Sequence, residues 1–247
     1  MTSRWLLVAA AFWVALLSGC ASHRHVVETE SLPKREATLA ELERILAERS
    51  QVGGYRALVT FEVSRGGRSG SVKGTVRFAP PRTYEVRGLD PLGRDVFALN
   101  AEGEHITLRR ADGVPALNGS DAIDAELAPW IGSLRVADVL RVVGAGQGPS
   151  VDPLDMLALE RGEDYYTLYV LVFDDGRARL DRKIRFERTR FLAVSEEWFD
   201  VNGSRRLRVE FDRYREVGGQ WRPFLVSASN GAGTLKIDFH EVAAEPS

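Results

Sequence analysis

Tyr55-Arg56-Ala57-Leu58-Val59-Thr60-Phe61-Glu62-Val63 alternates, with Tyr55, Ala57, Val59, Phe61 and Val63 on one face and Arg56, Thr60 and Glu62 on the other. A period of two marks a strand with one face buried and one wet. The sequence on either side continues the theme. Gly66-Gly67 turns the chain into Val72, Gly74, Val76 and Phe78, and Pro80-Pro81 leads to Tyr84 and Val86. Asp90-Pro91-Leu92-Gly93 then leads to residues 96–99, and a strand through Ile106 and Leu108 reaches Asp112-Gly113. Gly, Pro and Asp at these joints supply the backbone conformations of tight turns. Upstream, Leu39, Leu42, Ile45 and Leu46 recur at helical spacing opposite Glu41, Glu43, Arg44 and Glu48, and Gly53-Gly54 stops that helix.

Across 116–162 the alternation breaks. Residues 121–130 read as one helix and 133–143 as another, with Leu134, Ala137, Val139, Leu140 and Val143 as its apolar side. Gly144-Ala145-Gly146-Gln147-Gly148 terminates it; the run follows a helix and lacks a Lys-Ser/Thr pair, so it is no phosphate cradle. Strands resume at 165–173, 180–186, 191–199, 206–214, 221–228 and 235–239, joined by turns such as Asp175-Gly176, Asn202-Gly203 and Gly218-Gly219. The count is about eleven strands in one antiparallel meander, too regular for two domains. A sheet this long must curl, and its concave face is either a packed core or the wall of a cavity. With the helices as a lid, the two apolar surfaces would enclose a chamber. Tyr55, Val59, Phe61, Val76, Phe78, Tyr84, Val86, Leu207, Val209 and Phe211 are the candidate lining, and they fit a plain core equally well.

Composition narrows the function. Lys+Arg 33 against Asp+Glu 35 gives a net charge of −2, which lacks the basic excess of a general nucleic-acid binder. A single Cys and 4 His allow no intrachain disulfide and no Cys-rich zinc site. His23-x-His25 lies on a polar stretch without further ligands, so neither metal nor cofactor is expected. No Gly-x-Ser-x-Gly elbow, His-Glu-x-x-His helix or Walker-type loop is present, and nothing pairs His105 or His240 with a nucleophile. The expectation is therefore a protein that is not an enzyme. Arg109-Arg110, Arg205-Arg206, Arg213 and Arg215 read first as solvated strand faces, second as a patch for anionic headgroups or an acidic carrier.

The N-terminus carries Arg4 and an apolar run at residues 5–17. At about 13 residues that run is too short to span a bilayer, and it reads as a signal peptide. It ends in Leu17-Ser18-Gly19-Cys20, which resembles the bacterial lipobox. The resemblance implies cleavage after residue 19 and acylation of Cys20. Two or three acyl chains at about 0.8 kcal/mol per buried methylene would hold the protein on a membrane. Ala21 and Ser22, where retained lipoproteins carry Asp, imply the outer membrane, with the body facing the periplasm. The expected organisation is a signal peptide at 1–19, a lipidated tether at 20–35 and one domain at 36–247.

Residues 84–140 add a second resemblance. Leu89-Asp90-Pro91-Leu92-Gly93, then Val96-Phe97-Ala98-Leu99-Asn100, a short hairpin and the two helices follow in the order seen in the LolA/LolB-like lipoprotein family. This resemblance, strongest to the outer-membrane receptor LolB, implies an unclosed β half-barrel with a helical lid over an apolar cavity. It implies that the chain takes acylated lipoproteins from a LolA-like periplasmic carrier and inserts them into the outer membrane. It assigns Leu92 a protruding role in membrane insertion; a turn Leu tucked against its own hairpin is the other reading. The second half departs from the pattern at the charged strand of residues 179–190 and at Glu196-Glu197. A module of the same fold for a phospholipid or glycolipid, and a structural lipoprotein filled by its own side chains, remain the alternatives. A monomer is expected in each case.

Overall fold

The alternation beginning at Tyr55 becomes the centre of the sheet in the computed structural model. The structure describes residues 32–50, 53–80, 82–111, 116–131, 134–144, 156–174 and 176–245, and Lys34–Ser247 is one compact unit. Its first wing consists of α1 (Leu39–Ser50), β1 (Tyr55–Arg65), β2 (Arg68–Ala79), β3 (Thr83–Leu89), β4 (Asp95–Glu102), β5 (His105–Arg110) and β6 (Leu117–Asn118). Two helices follow, α2 (Ser120–Ile131) and α3 (Val136–Gly144). The second wing holds β7 (Met156–Arg161), β8 (Tyr165–Asp174), β9 (Arg177–Glu187), β10 (Ala193–Phe199) and β11 (Arg205–Asp212). It continues with β12 (Arg215–Val217), β13 (Gln220–Arg222), β14 (Leu225–Ser229) and β15 (Thr234–Ala244).

Among the described residues, 13 strands form one antiparallel sheet in the order β6-β5-β4-β3-β2-β1-β15-β14-β11-β10-β9-β8-β7. The end strands β6 and β7 do not pair, so the barrel stays open. The sheet is not the single meander expected from sequence. Each wing is a meander, and β1 pairing with β15 joins them, Tyr55 facing Ala244 and Ser64 facing Thr234. The strand number also exceeds the expected count of about eleven: β6 and β7 occupy part of the supposed break, and β12 and β13 form a separate two-stranded ribbon. Residues 221–228 are thus two elements, divided where Pro223 lacks an N–H for a ladder.

Register shifts at Leu58/Val59, Gly88/Leu89, Val170/Leu171, Ala193/Ser195 and Trp198/Phe199 bend the sheet, since each inserts a residue into one strand and increases its twist. The concave side carries Tyr55, Val59, Phe61, Val76, Phe78, Leu168, Val170, Ile184, Phe186, Leu207, Val226 and Ile237, all buried in one cluster. Each large side chain removed from water contributes about 1.5–3 kcal/mol. The helices complete the cluster through Leu42 and Leu46 of α1, Ile123 of α2, and Val136, Leu140, Val142 and Val143 of α3. The face of α3 differs from the expected one: Ala137 is exposed, while Val136, Val142 and Asp138 are buried.

Antiparallel neighbours place the turns on two rims. The turns at Gly66-Gly67, 90–94, 200–204 and 230–233 and the β8–β9 joint share one, the upper rim. The start of β1 and the β9–β10 joint lie on the opposite, lower rim.

Candidate functional site

The site is the concave apolar face together with α3, which crosses it from the upper towards the lower rim. Three ties hold that helix. At its N-terminus, Asp138 accepts Arg206 Nη1 at 2.7 and 2.8 Å and the Arg135 N–H at 3.1 Å, while the Val136 N–H donates to Asp124 of α2 at 2.5 Å. These carboxylates satisfy N–H groups that a helix start leaves unpaired. At its middle, the Arg141 guanidinium lies 4.1 Å from the Trp198 ring centroid, and Arg182 lies 4.6 Å from the same centroid. At its C-terminus, the buried Tyr55 hydroxyl donates to the Val143 carbonyl at 2.5 Å. At Gly144 a Cβ would come within 2.9 Å of the Tyr84 hydroxyl, so a side chain there would force that ring to shift.

Bulges aim the polar members of this arrangement. Trp198 faces Leu207 and Phe199 faces Arg205, so Arg206 is the inserted residue and reaches inward to Asp138. The shift between Ala193 and Ser195 sets Glu196 opposite Ile184 and Val209 on the apolar side. There Glu196 meets Arg182 at 3.4 Å. Burial raises the Glu196 carboxyl above its ordinary range, against the opposing pull of Arg182. Burial likewise lowers Arg141 and raises the Tyr55 and Tyr84 hydroxyls. A charged group in apolar surroundings is costly unless paired, so this cluster is the polar seam between lid and sheet.

Of the ten lining candidates, nine are buried and Tyr84 is half-buried. At most 6% of the surface of those nine reaches solvent or a water-sized void. The apolar interior around these residues is therefore filled by side chains, Phe78 and Tyr84 with ring centroids 5.0 Å apart among them. Two open grooves of about 300 and 400 Å³ lie elsewhere, on the outer side of β2–β5, and both include Glu85 and Asn100.

Leu92 stands on the upper rim, 77% exposed. Asp90 Oδ1 accepts the N–H groups of Leu92 and Arg94 at 2.8 and 2.9 Å, the Asp90 carbonyl accepts Gly93 N–H at 2.9 Å, and Gly93 holds φ of 79°. The Arg94 N–H and guanidinium hold the Asp90 carboxyl below the usual carboxylate range. The turn thus presents Leu92 outward on a fixed backbone, not folded against its hairpin. A second turn repeats the pattern: Asp200 Oδ1 accepts Asn202 and Ser204 N–H, each at 2.9 Å, Gly203 holds φ of 77°, and Val201 is 69% exposed. Sequence reading passed over Val201, although Asp90-x-x-Gly93 and Asp200-x-x-Gly203 share one spacing. Cys20 lies outside the described residues, as do His23 and His25.

This open antiparallel half-barrel is similar in fold to several solved structures. A LolA superfamily protein from Nitrosomonas europaea superposes with a TM-score of 0.58 at 12% identity, covering 83% of this chain and 94% of that one. A DUF1329 family protein from Desulfovibrio piger gives 0.61 at 11% identity, covering 83% and 90%. A domain assigned to outer membrane lipoprotein sorting, from Vibrio parahaemolyticus, gives 0.59 at 12% identity, covering 83% and 91%. At these identities the likeness is one of fold. No family model matches the chain, and no curated protein matches its sequence.

Proposed function

We propose that this chain is a lipid-anchored, periplasm-facing receptor of LolB type that takes acylated lipoproteins from a carrier and releases them into the outer membrane. The observation that carries this reading is Leu92, an apolar side chain held in solvent by a turn whose N–H groups are bonded internally. A merely structural hairpin has no need to display a leucine. The apolar interior under α3 supplies the complementary half. Burying an acyl chain of about fourteen methylenes at about 0.8 kcal/mol each gains on the order of 10 kcal/mol, which works against the cost of displacing α3. Release into a bilayer exchanges one apolar environment for another, so no catalytic group is required. Acylation of Cys20 would keep the receptor at the acceptor membrane.

The test uses the chain without its signal peptide and with Cys20→Ala, incubated with a carrier loaded with labelled lipoprotein, and compared with Leu92→Glu. Label is followed to the protein and on to liposomes. The parent takes up and delivers label, while Leu92→Glu takes it up and delivers poorly. Failure of both forms to take up label refutes the receptor. Co-purified phospholipid or glycolipid in native mass spectrometry would then favour a lipid-binding module.

A further inference from the structure

Leu92 has companions. Phe173, 64% exposed, ends β8 at the upper rim, and Val201 projects from the β10–β11 turn on the same rim. The three are the most exposed large apolar side chains among the described residues. They are also widely separated along the sheet, Leu92 between β3 and β4, Val201 between β10 and β11, and Phe173 near the end of β8. Between them lies the Gly66-Gly67 turn, flanked by Arg65 and Arg68, which face each other directly across β1 and β2.

We infer that this rim is a three-point docking surface for an anionic lipid bilayer, with Leu92, Val201 and Phe173 entering the interface and Arg65 and Arg68 meeting its headgroups. The inference deepens the receptor reading by naming the surface that meets the acceptor membrane, and its test uses no cargo. Three observations favour a bilayer over a protein. The apolar tips are isolated, two on separate turns and one near the end of β8, whereas a protein interface has a contiguous, dehydrated apolar centre. A bilayer interface accepts separate side chains, each gaining by its own burial.

The backbone is prepared as well. The N–H groups of Leu92, Gly93 and Arg94 and of Asn202, Gly203 and Ser204 all donate within their own turns. Entering a poorly hydrated layer therefore strands none of them. Finally, Arg65 and Arg68 bring two guanidinium groups to one turn of the same rim, where headgroup phosphates would meet them. Long Arg stems also let the charge stay at headgroup level while the tips go deeper.

The experiment is vesicle co-sedimentation of the chain without its signal peptide and with Cys20→Ala. Vesicles are phosphatidylcholine alone or mixed with phosphatidylglycerol. Val201→Asp, Phe173→Asp and Leu92→Asp are compared with Leu58→Asp, at an exposed apolar position on the outer sheet face. Circular dichroism verifies that each variant is folded. The parent partitions onto the anionic vesicles, each rim variant loses about tenfold in partition coefficient, roughly the loss of one buried aliphatic side chain, and Leu58→Asp binds like the parent. Arg65→Ala with Arg68→Ala removes the preference for phosphatidylglycerol. Parent protein that ignores both vesicles overturns the inference. So does unchanged binding by Val201→Asp and Phe173→Asp, which would leave those tips to a protein partner while the cargo assay still judges Leu92 independently.

Discussion

Replacing Asp138 by Ala should unfasten the helix that covers the interior. The carboxylate is 2% exposed and accepts both contacts from Arg206 and one from the Arg135 N–H. Removing one partner of a buried pair costs about 3–5 kcal/mol. Arg206 is 27% exposed and regains water, which reduces that loss to about 2 kcal/mol. The lost helix cap adds about 1 kcal/mol. A total of about 3 kcal/mol in a unit of this size lowers the melting midpoint by about 6–12 °C. Thermal unfolding followed by circular dichroism measures the shift, with Arg206→Ala and the double variant completing a cycle. The double variant should melt close to the single ones, because the two residues share one interaction. A shift below about 2 °C in Asp138→Ala, or fully additive losses in the cycle, refutes the tie between α3 and β11.

Two further outcomes follow from the same seam. Glu196 is raised by burial above its ordinary value of 4.5, so the folded chain holds that proton more tightly than the unfolded one. Its contribution to stability is greatest below about pH 4.5 and falls as pH rises through the raised folded value. Urea midpoints of Glu196→Gln should therefore improve relative to the parent as pH increases across that window, and a difference independent of pH contradicts the assignment. Tyr55→Phe leaves the buried Val143 carbonyl without its hydroxyl donor, at a cost of about 1–2 kcal/mol. Limited proteolysis should then cut near α3 faster and a fluorescent fatty acid should enter more readily, while unchanged rates of both would show that the bond does not hold the lid.

Much of this was legible in the residues. Alternation from Tyr55 to Val63 located the concave face, and its parity carried over to Val76, Phe78, Val86, Leu207, Val209 and Phe211, all now buried. The turn itself was legible in Asp, Pro and Gly at fixed offsets, while the residues alone left open whether Leu92 projects or tucks against its hairpin. What escaped depends on bulges and long-range pairing. One inserted residue reverses the parity of everything beyond it, which is how Arg206 turns inward to Asp138 and Glu196 joins the apolar side. Arg182 on β9 and Arg188 just beyond its end likewise sit buried where the charge pattern suggests solvent. On the α3 segment the expected apolar side holds at Leu134, Leu140 and Val143 but not at Ala137, and Asp138 escaped because a carboxylate is acceptable inside only when a guanidinium from another element is aimed at it. The β1–β15 contact left no local trace at all.

That contact has a temporal consequence. Its two partners are separated by almost the entire body, so the ladder from Tyr55–Ala244 to Ser64–Thr234 cannot zip until the final strand has emerged. High contact order slows the search for the native pairing, and until it succeeds β1 offers an unmatched apolar edge to whatever strand arrives first. In a chain that emerges from its N-terminus, β1 therefore stays without this partner until residues 234–244 have emerged.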